Sequence, residues 1–194
     1  MERALIMSGI GGQGIQLASS VLARASVDEG RQVQVFGSYE GMMRGGATES
    51  TMVVADESLE SPPTIGEAWS AIFMHHEHAG HAAGTLRSGS LAFVNTTVVD
   101  NSLHFDVGIT IVEVPASALA VNVGHIMAAS MVMIGAYIAV TGLVSLESAL
   151  QASAMMLPAY RAQHRALNEA ALTTGFNAVP GISVPAWTAS GVGA

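Results

Sequence analysis

Glycines stand at positions 9, 11 and 14, in the run Gly9-Ile10-Gly11-Gly12-Gln13-Gly14. The run follows an apolar stretch, residues 4–8, and precedes a helical stretch that begins at Ile15. Glycines at that spacing allow a tight turn, bring backbone N–H groups close to a phosphate and let the following helix pack on the strand. The helix N-terminus adds partial positive charge. The other half of a dinucleotide-binding pattern is absent. An acidic residue about 20 positions on, at the end of the next strand, would hold an adenosine ribose; Phe36-Gly37-Ser38 stands there, and Glu40 comes late. Three readings stay open. The loop is a tight turn without a ligand, an anion or coenzyme site formed by Gly9, Gly11, Gly12, Gln13 and Gly14, or the nucleotide site of a free-standing oxidoreductase.

Two further constellations bear on chemistry. Arg44 precedes Gly45 and Gly46 in a loop otherwise short of charge. Its planar fork of donors suits a carboxylate or phosphate, from a partner chain or from a small molecule. The two glycines permit close backbone approach there. Tyr39, just before, offers a hydroxyl or a packed interface ring. His75, His76, His78 and His81 cluster at the end of an apolar run. His78 and His81 would share a helix face, as metal ligands do, but no distant acidic or histidine ligand accompanies them. Solvated or interface histidines are the favoured reading, a metal-sensing or scaffold role the lesser one. No Ser-His-Asp order or carboxylate pair names a catalytic residue.

The elements that must position these groups follow from pattern. Residues 4–8, 32–36, 50–55, 69–74, 91–94 and 109–114 read as strands, and residues 15–29 as a helix with Leu17, Val21, Leu22 and Ala25 on one face. Residues 3–36 form a strand–helix–strand unit, which predicts a parallel sheet. A glycine-rich loop spans residues 37–46, a short helix lies near residues 79–86, and helices dominate from residue 116 onward. The fold class is α/β: a Rossmann-like three-layer domain with a mostly parallel sheet and a helical C-terminal third. The domain spans residues 1–178 and a tail residues 179–194.

Composition narrows the class. The 194 residues carry a net charge of −8, with 11% charged and 50% hydrophobic. A solitary soluble domain would expose more charge, about 25–35% of its surface, so partner chains are expected over part of it. No run of Lys or Arg suits nucleic acid. The absence of cysteine rules out disulfides and a cysteine-ligated cluster held by this chain alone, and fits an intracellular, cytoplasmic setting. The start is too short and glycine-broken for a signal peptide. The apolar stretch at residues 126–144 is long enough for a membrane, but no Lys or Arg flanks it closely, and a buried helix reads the same way.

Taken together, three blocks resemble the gamma subunits of the 2-oxoacid:ferredoxin (pyruvate, 2-oxoglutarate and indolepyruvate) oxidoreductases. They are the run at residues 9–14, Tyr39 with Arg44-Gly45-Gly46, and Gly124 with the apolar helix and Thr141-Gly142-Leu143-Val144. Where that family has Gly and Glu between Tyr and Arg, this chain has Glu40 and Met42; where it carries asparagines in the helix block, this chain has His125 and Ser130. The resemblance implies a multi-subunit complex that decarboxylates a 2-oxoacid oxidatively. Thiamin diphosphate, Mg and iron–sulfur clusters would lie on other subunits, coenzyme A commonly accepts the acyl group, and electrons go to ferredoxin or a similar acceptor. It also implies that this chain packs on the thiamin-bearing subunits and is inactive alone, with the 9–14 loop and Tyr39, Arg44, Gly45 and Gly46 facing partners or substrate.

Overall fold

The computed structural model describes residues 1–39, 45–62, 64–100, 103–157 and 159–187. Six strands form one sheet in the order β2-β3-β1-β4-β5-β6. They are β1 (Glu2–Ile10), β2 (Gln32–Tyr39), β3 (Ala47–Ala55), β4 (Ala68–Phe73), β5 (Leu86–Asn95) and β6 (Thr110–Val114). β1, β4, β5 and β6 pair in parallel, whereas β3 runs antiparallel to both β1 and β2. The sheet is mostly parallel, as the sequence predicts.

The predicted strand–helix–strand unit needs correcting in one respect. β1 and β2 point the same way, but β3 lies between them. Burial explains the exchange. β3 is covered along nearly its whole length, from Thr51 to Ala55 without a break, so it takes an interior place. β2 carries Gln32, Gln34 and Ser38 exposed and suits an edge. The predicted loop at residues 37–46 is also shorter, because Gly37 to Tyr39 continue β2.

Alternation along the strands assigns the layers. Leu5 and Met7 of β1 join Met52, Ile72, Phe93 and Val112 under α1 (Ile15–Asp28), α4 (Ala129–Thr141) and their neighbours. Ile6, Ala71, Phe73 and Ala92 face the other way, onto the layer of α2 (Gly80–Thr85). α3 (Ala116–Val123), α5 (Leu146–Met156) and α6 (Arg165–Asn177) complete the helical third, with short 3-10 turns at Ile126–Ala128 and Ala159–His164. The helical third begins at residue 116 as the sequence predicts, its opening turn extended into α3.

α4 is the apolar stretch that raised the membrane question. It is buried on every side, with Tyr137 edge-on to Phe93 at 5.0 Å and its hydroxyl 3.0 Å from that of Ser70. α6 crosses it at backbone contact. A Cβ on Gly135 would strike the Leu172 carbonyl, and one on Gly175 the Val132 carbonyl. Among the described residues no helix is long and apolar enough to cross a membrane. The C-terminal segment as far as Trp187 packs on this framework. The Val184 N–H donates to the Val140 carbonyl (2.8 Å), Trp187 Nε1 to that of Leu143 (3.0 Å), and the Arg31 guanidinium lies 4.1 Å from the Trp187 ring centre.

Candidate functional site

The parallel strands β1 and β4 end beside the glycine loop, the edge at which α/β sheets hold ligands. Gly14 opens α1 in a left-handed conformation (φ 79°), without a side-chain cap and without an acidic residue in the first turn. The N–H groups of that turn are thus left to water or to an acceptor in the cleft. A Cβ on Gly14 would stand 2.7 Å from the Ser130 hydroxyl, so the loop and the start of α4 meet closely. Gly11 donates its N–H to the Gly46 carbonyl at 2.8 Å, and a Cβ there would lie 3.3 Å from the Gly45 nitrogen. Two glycine motifs far apart in sequence are therefore in direct contact.

Gln13 holds the loop rather than offering itself to a ligand. Its Oε1 accepts the Ile10 N–H at 2.9 Å, and its Nε2 donates to the Met74 carbonyl at 3.1 Å, which ties the loop to the end of β4. Gly9 is needed for the same fit, since a Cβ would come 2.5 Å from Gln13 Oε1.

A cleft of about 650 Å³ opens from this loop towards α4, α5 and α6. Its polar groups include Gly12 and Gly14, Gln16, Thr48, Ser130, His125, His164 and Asn168, and Met127, Met131, Leu157 and Leu167 supply apolar wall. Among the described residues none of its lining side chains is Asp, Glu, Lys or Arg, in a chain of net charge −8. An anion there meets backbone amides and hydroxyls, with no repelling carboxylate among the described lining. His125 Nδ1 accepts the Met127 N–H at 3.1 Å, which places the proton of the neutral ring on Nε2 as a free donor. Ser130 and Asn168 are both buried, 1% and 7% exposed, and neither side chain makes a hydrogen bond among the described residues.

A second cleft of about 500 Å³ lies on the α2 side, lined by Ser8, Ser38, Thr48, Glu49, His78 and His81. Here the predicted histidine cluster divides. His81 Nδ1 sits 3.1 Å from both Glu49 carboxylate oxygens, whereas His75 stacks on His76 at 4.5 Å and His76 Nδ1 meets the Val98 carbonyl at 3.2 Å. His78 takes a left-handed backbone (φ 64°), its carbonyl accepting the Ser8 hydroxyl at 3.2 Å. Burial holds the His75 imidazole below its ordinary range, and neighbouring His76 adds to this. Among the described residues no group of three or more His, Asp or Glu side chains is placed to hold a metal.

Of the remaining predicted residues, Tyr39 ends β2 opposite Thr48, and Gly45 adopts φ 97° beside the glycine loop. Arg44 lies outside the described residues. Sequence reasoning passed over Asn168, His164 and Leu157. The only signal for them was the four-residue spacing of His164 and Asn168, which puts both on one helix face. The inserted β3 also bears on the nucleotide-enzyme reading. It sets the end of β2 two strand spacings, roughly 10 Å, from β1, too far for a ribose anchor of the usual kind.

The sequence profile of the pyruvate ferredoxin/flavodoxin oxidoreductase family matches residues 4–178. The chain belongs to that family. It is 30% identical over 151 residues to the 2-oxoglutarate synthase subunit KorC of Methanocaldococcus jannaschii, covering 76% of this chain and 80% of that one. The solved keto/oxoacid ferredoxin oxidoreductase gamma subunit of Geobacter sulfurreducens superposes with a TM-score of 0.76 at 26% identity, over 92% of this chain and 97% of the other. A third likeness is of fold alone. The 2-oxoglutarate:ferredoxin oxidoreductase of Magnetococcus marinus, solved with 2-oxoglutarate, coenzyme A and succinyl-CoA bound, superposes at TM-score 0.83 and 16% identity, over 94% of this chain and 32% of that one. Within the family the chain is thus a gamma-type subunit of a multi-subunit oxidoreductase, matching 80% of KorC, 97% of the Geobacter subunit and 32% of the larger Magnetococcus chain.

Proposed function

We propose that this gamma-type subunit supplies the glycine-loop cleft as the seat for the anionic end of coenzyme A, next to the thiamin-bearing subunits of a cytoplasmic 2-oxoacid:ferredoxin oxidoreductase. One observation carries the reading: an uncapped α1 N-terminus opens into a cleft whose described lining holds no carboxylate. The residues fit the group. Amides of the first turn of α1, the Ser130 hydroxyl and the outward N–H of His125 are donors suited to phosphate oxygens. Gly12 and Gly14 keep side chains out of their way.

The complex would convert a 2-oxoacid and coenzyme A to acyl-CoA and CO2, with two electrons passing to ferredoxin or a similar acceptor and the thiol proton released. Thiamin diphosphate, Mg and iron–sulfur clusters supply that redox chemistry from other subunits. The sequence agrees with this division, having no cysteine to ligate a cluster. This chain's part is to bind and orient. Gly45 and Gly46 back the loop, and Tyr39 and Arg44 are assigned to contact with a partner subunit or the substrate.

The test uses the complex assembled with its partner subunits. Gly12→Asp puts a carboxylate where the anion would sit and should raise the KM for coenzyme A at least about tenfold, as loss of charge-assisted bonds does. The KM for the oxoacid should stay unchanged, with size exclusion confirming assembly. An unaltered coenzyme A KM in a correctly assembled variant would overturn the proposal.

A further inference from the structure

The apolar wall of the cleft contains a polar group that offers an acceptor as well as donors. Asn168 stands near the start of α6, with His164 one turn before it and Leu167 beside it, all three lining the cleft. The residue is 7% exposed, and its carboxamide makes no hydrogen bond among the described residues. It is not sealed off either. The fully occluded side-chain atoms without a partner, among the described residues, are Arg31 Nε and Ser153 Oγ, so the Asn168 carboxamide opens onto the cleft. A largely buried amide that turns its polar atoms to a cleft rather than to a protein partner is placed to pair with what the cleft holds.

We propose that Asn168 recognises a neutral hydrogen-bonding edge of the molecule whose anionic end lies at the glycine loop. This rests on the coenzyme reading above and adds a specificity residue to it. A carboxamide presents an acceptor and a two-proton donor side by side. Its complement is an edge with an N–H next to an acceptor. Adenine offers both groups on one edge, whereas a trans secondary amide, its N–H and C=O pointing opposite ways, meets the carboxamide through one group at a time; coenzyme A carries the two on opposite sides of its pyrophosphate. Half-buried Leu157 and Leu167 flank such a pair and restrict water's access to it, which raises the cost of binding an analogue that lacks it. His164 borders the same face and can cap the ligand's solvent side.

The consequence is a trade between stability and binding that ordinary structural roles do not produce. Asn168→Leu removes no internal hydrogen bond, so the melting temperature of the full-length chain should hold or rise. In the assembled complex the same variant should bind coenzyme A about tenfold more weakly. Two fragments separate the sources: adenosine 3′,5′-bisphosphate has the base without the amides, and 4′-phosphopantetheine has the amides without the base. Titration calorimetry should show the loss with one fragment and not with the other. Undiminished coenzyme A affinity in Asn168→Leu, an equal loss for both fragments, or a fall of several degrees in melting temperature would each overturn the assignment. A wild-type complex that binds no coenzyme A would instead sink the coenzyme reading on which it rests.

Discussion

Replacing Gln13 by alanine would strand two backbone groups at once, the Ile10 N–H and one acceptor position of the Met74 carbonyl. Each buried group left unpaired costs about 1–3 kcal/mol. Chemical denaturation of Gln13→Ala should therefore show a loss of that order, even though the side chain touches no ligand; a loss within error would mean that the loop holds itself. His75 offers a pH test. Burial first, then the adjacent His76, lowers its folded pKa, so the unfolded chain takes up the proton first as pH falls. The stability present above about pH 6.5 declines through the ordinary imidazole range and levels once the folded state is protonated too. Melting temperatures from about pH 8 to pH 5 should fall less steeply for His75→Gln than for the wild type. Parallel curves would rule this out.

Among the elements, the crossing of α4 and α6 is the tightest point of the framework that walls the cleft. A methyl at Gly175 would collide with the Val132 carbonyl, so Gly175→Ala must push the helices apart, and overpacking of this kind costs about 1–3 kcal/mol or more. Urea denaturation measures it, and coenzyme A binding should weaken in step as Asn168 shifts; a variant as stable as the wild type would contradict the crossing. The same scale shows what a sequence reveals. The strands were legible because β1, β4 and β5 each contain a short apolar run, at residues 4–7, 71–73 and 91–94, and α1 because its apolar residues repeat at helical spacing. The place of β3 was not, since periodicity marks a strand but does not name its neighbours. Asn168 was illegible for a related reason. A polar residue on an amphipathic helix reads as solvated until the crossing with α4 encloses it.

For the molecule as a whole, the low charge content has a visible counterpart. Ile126, Met127 and Met155 are 55%, 48% and 62% exposed, near the cleft that Met127 and Leu157 help to line. Apolar side chains exposed in this way suit burial against another subunit, and methionines suit adaptable contacts. Ile126→Lys combined with Met155→Glu should leave the full chain folded but weaken its co-purification with the partner subunits; full assembly of the variant would place the interface elsewhere. The glycine loop, the first turn of α1 and the start of α6 meet at this rim, so coenzyme and partner would be joined at one surface. Amide hydrogen exchange on the assembled complex, with and without coenzyme A, tests that most directly. Added protection at residues 11–17 and 164–168 is the predicted result. Protection confined to the other subunits, with these amides unchanged, would contradict it.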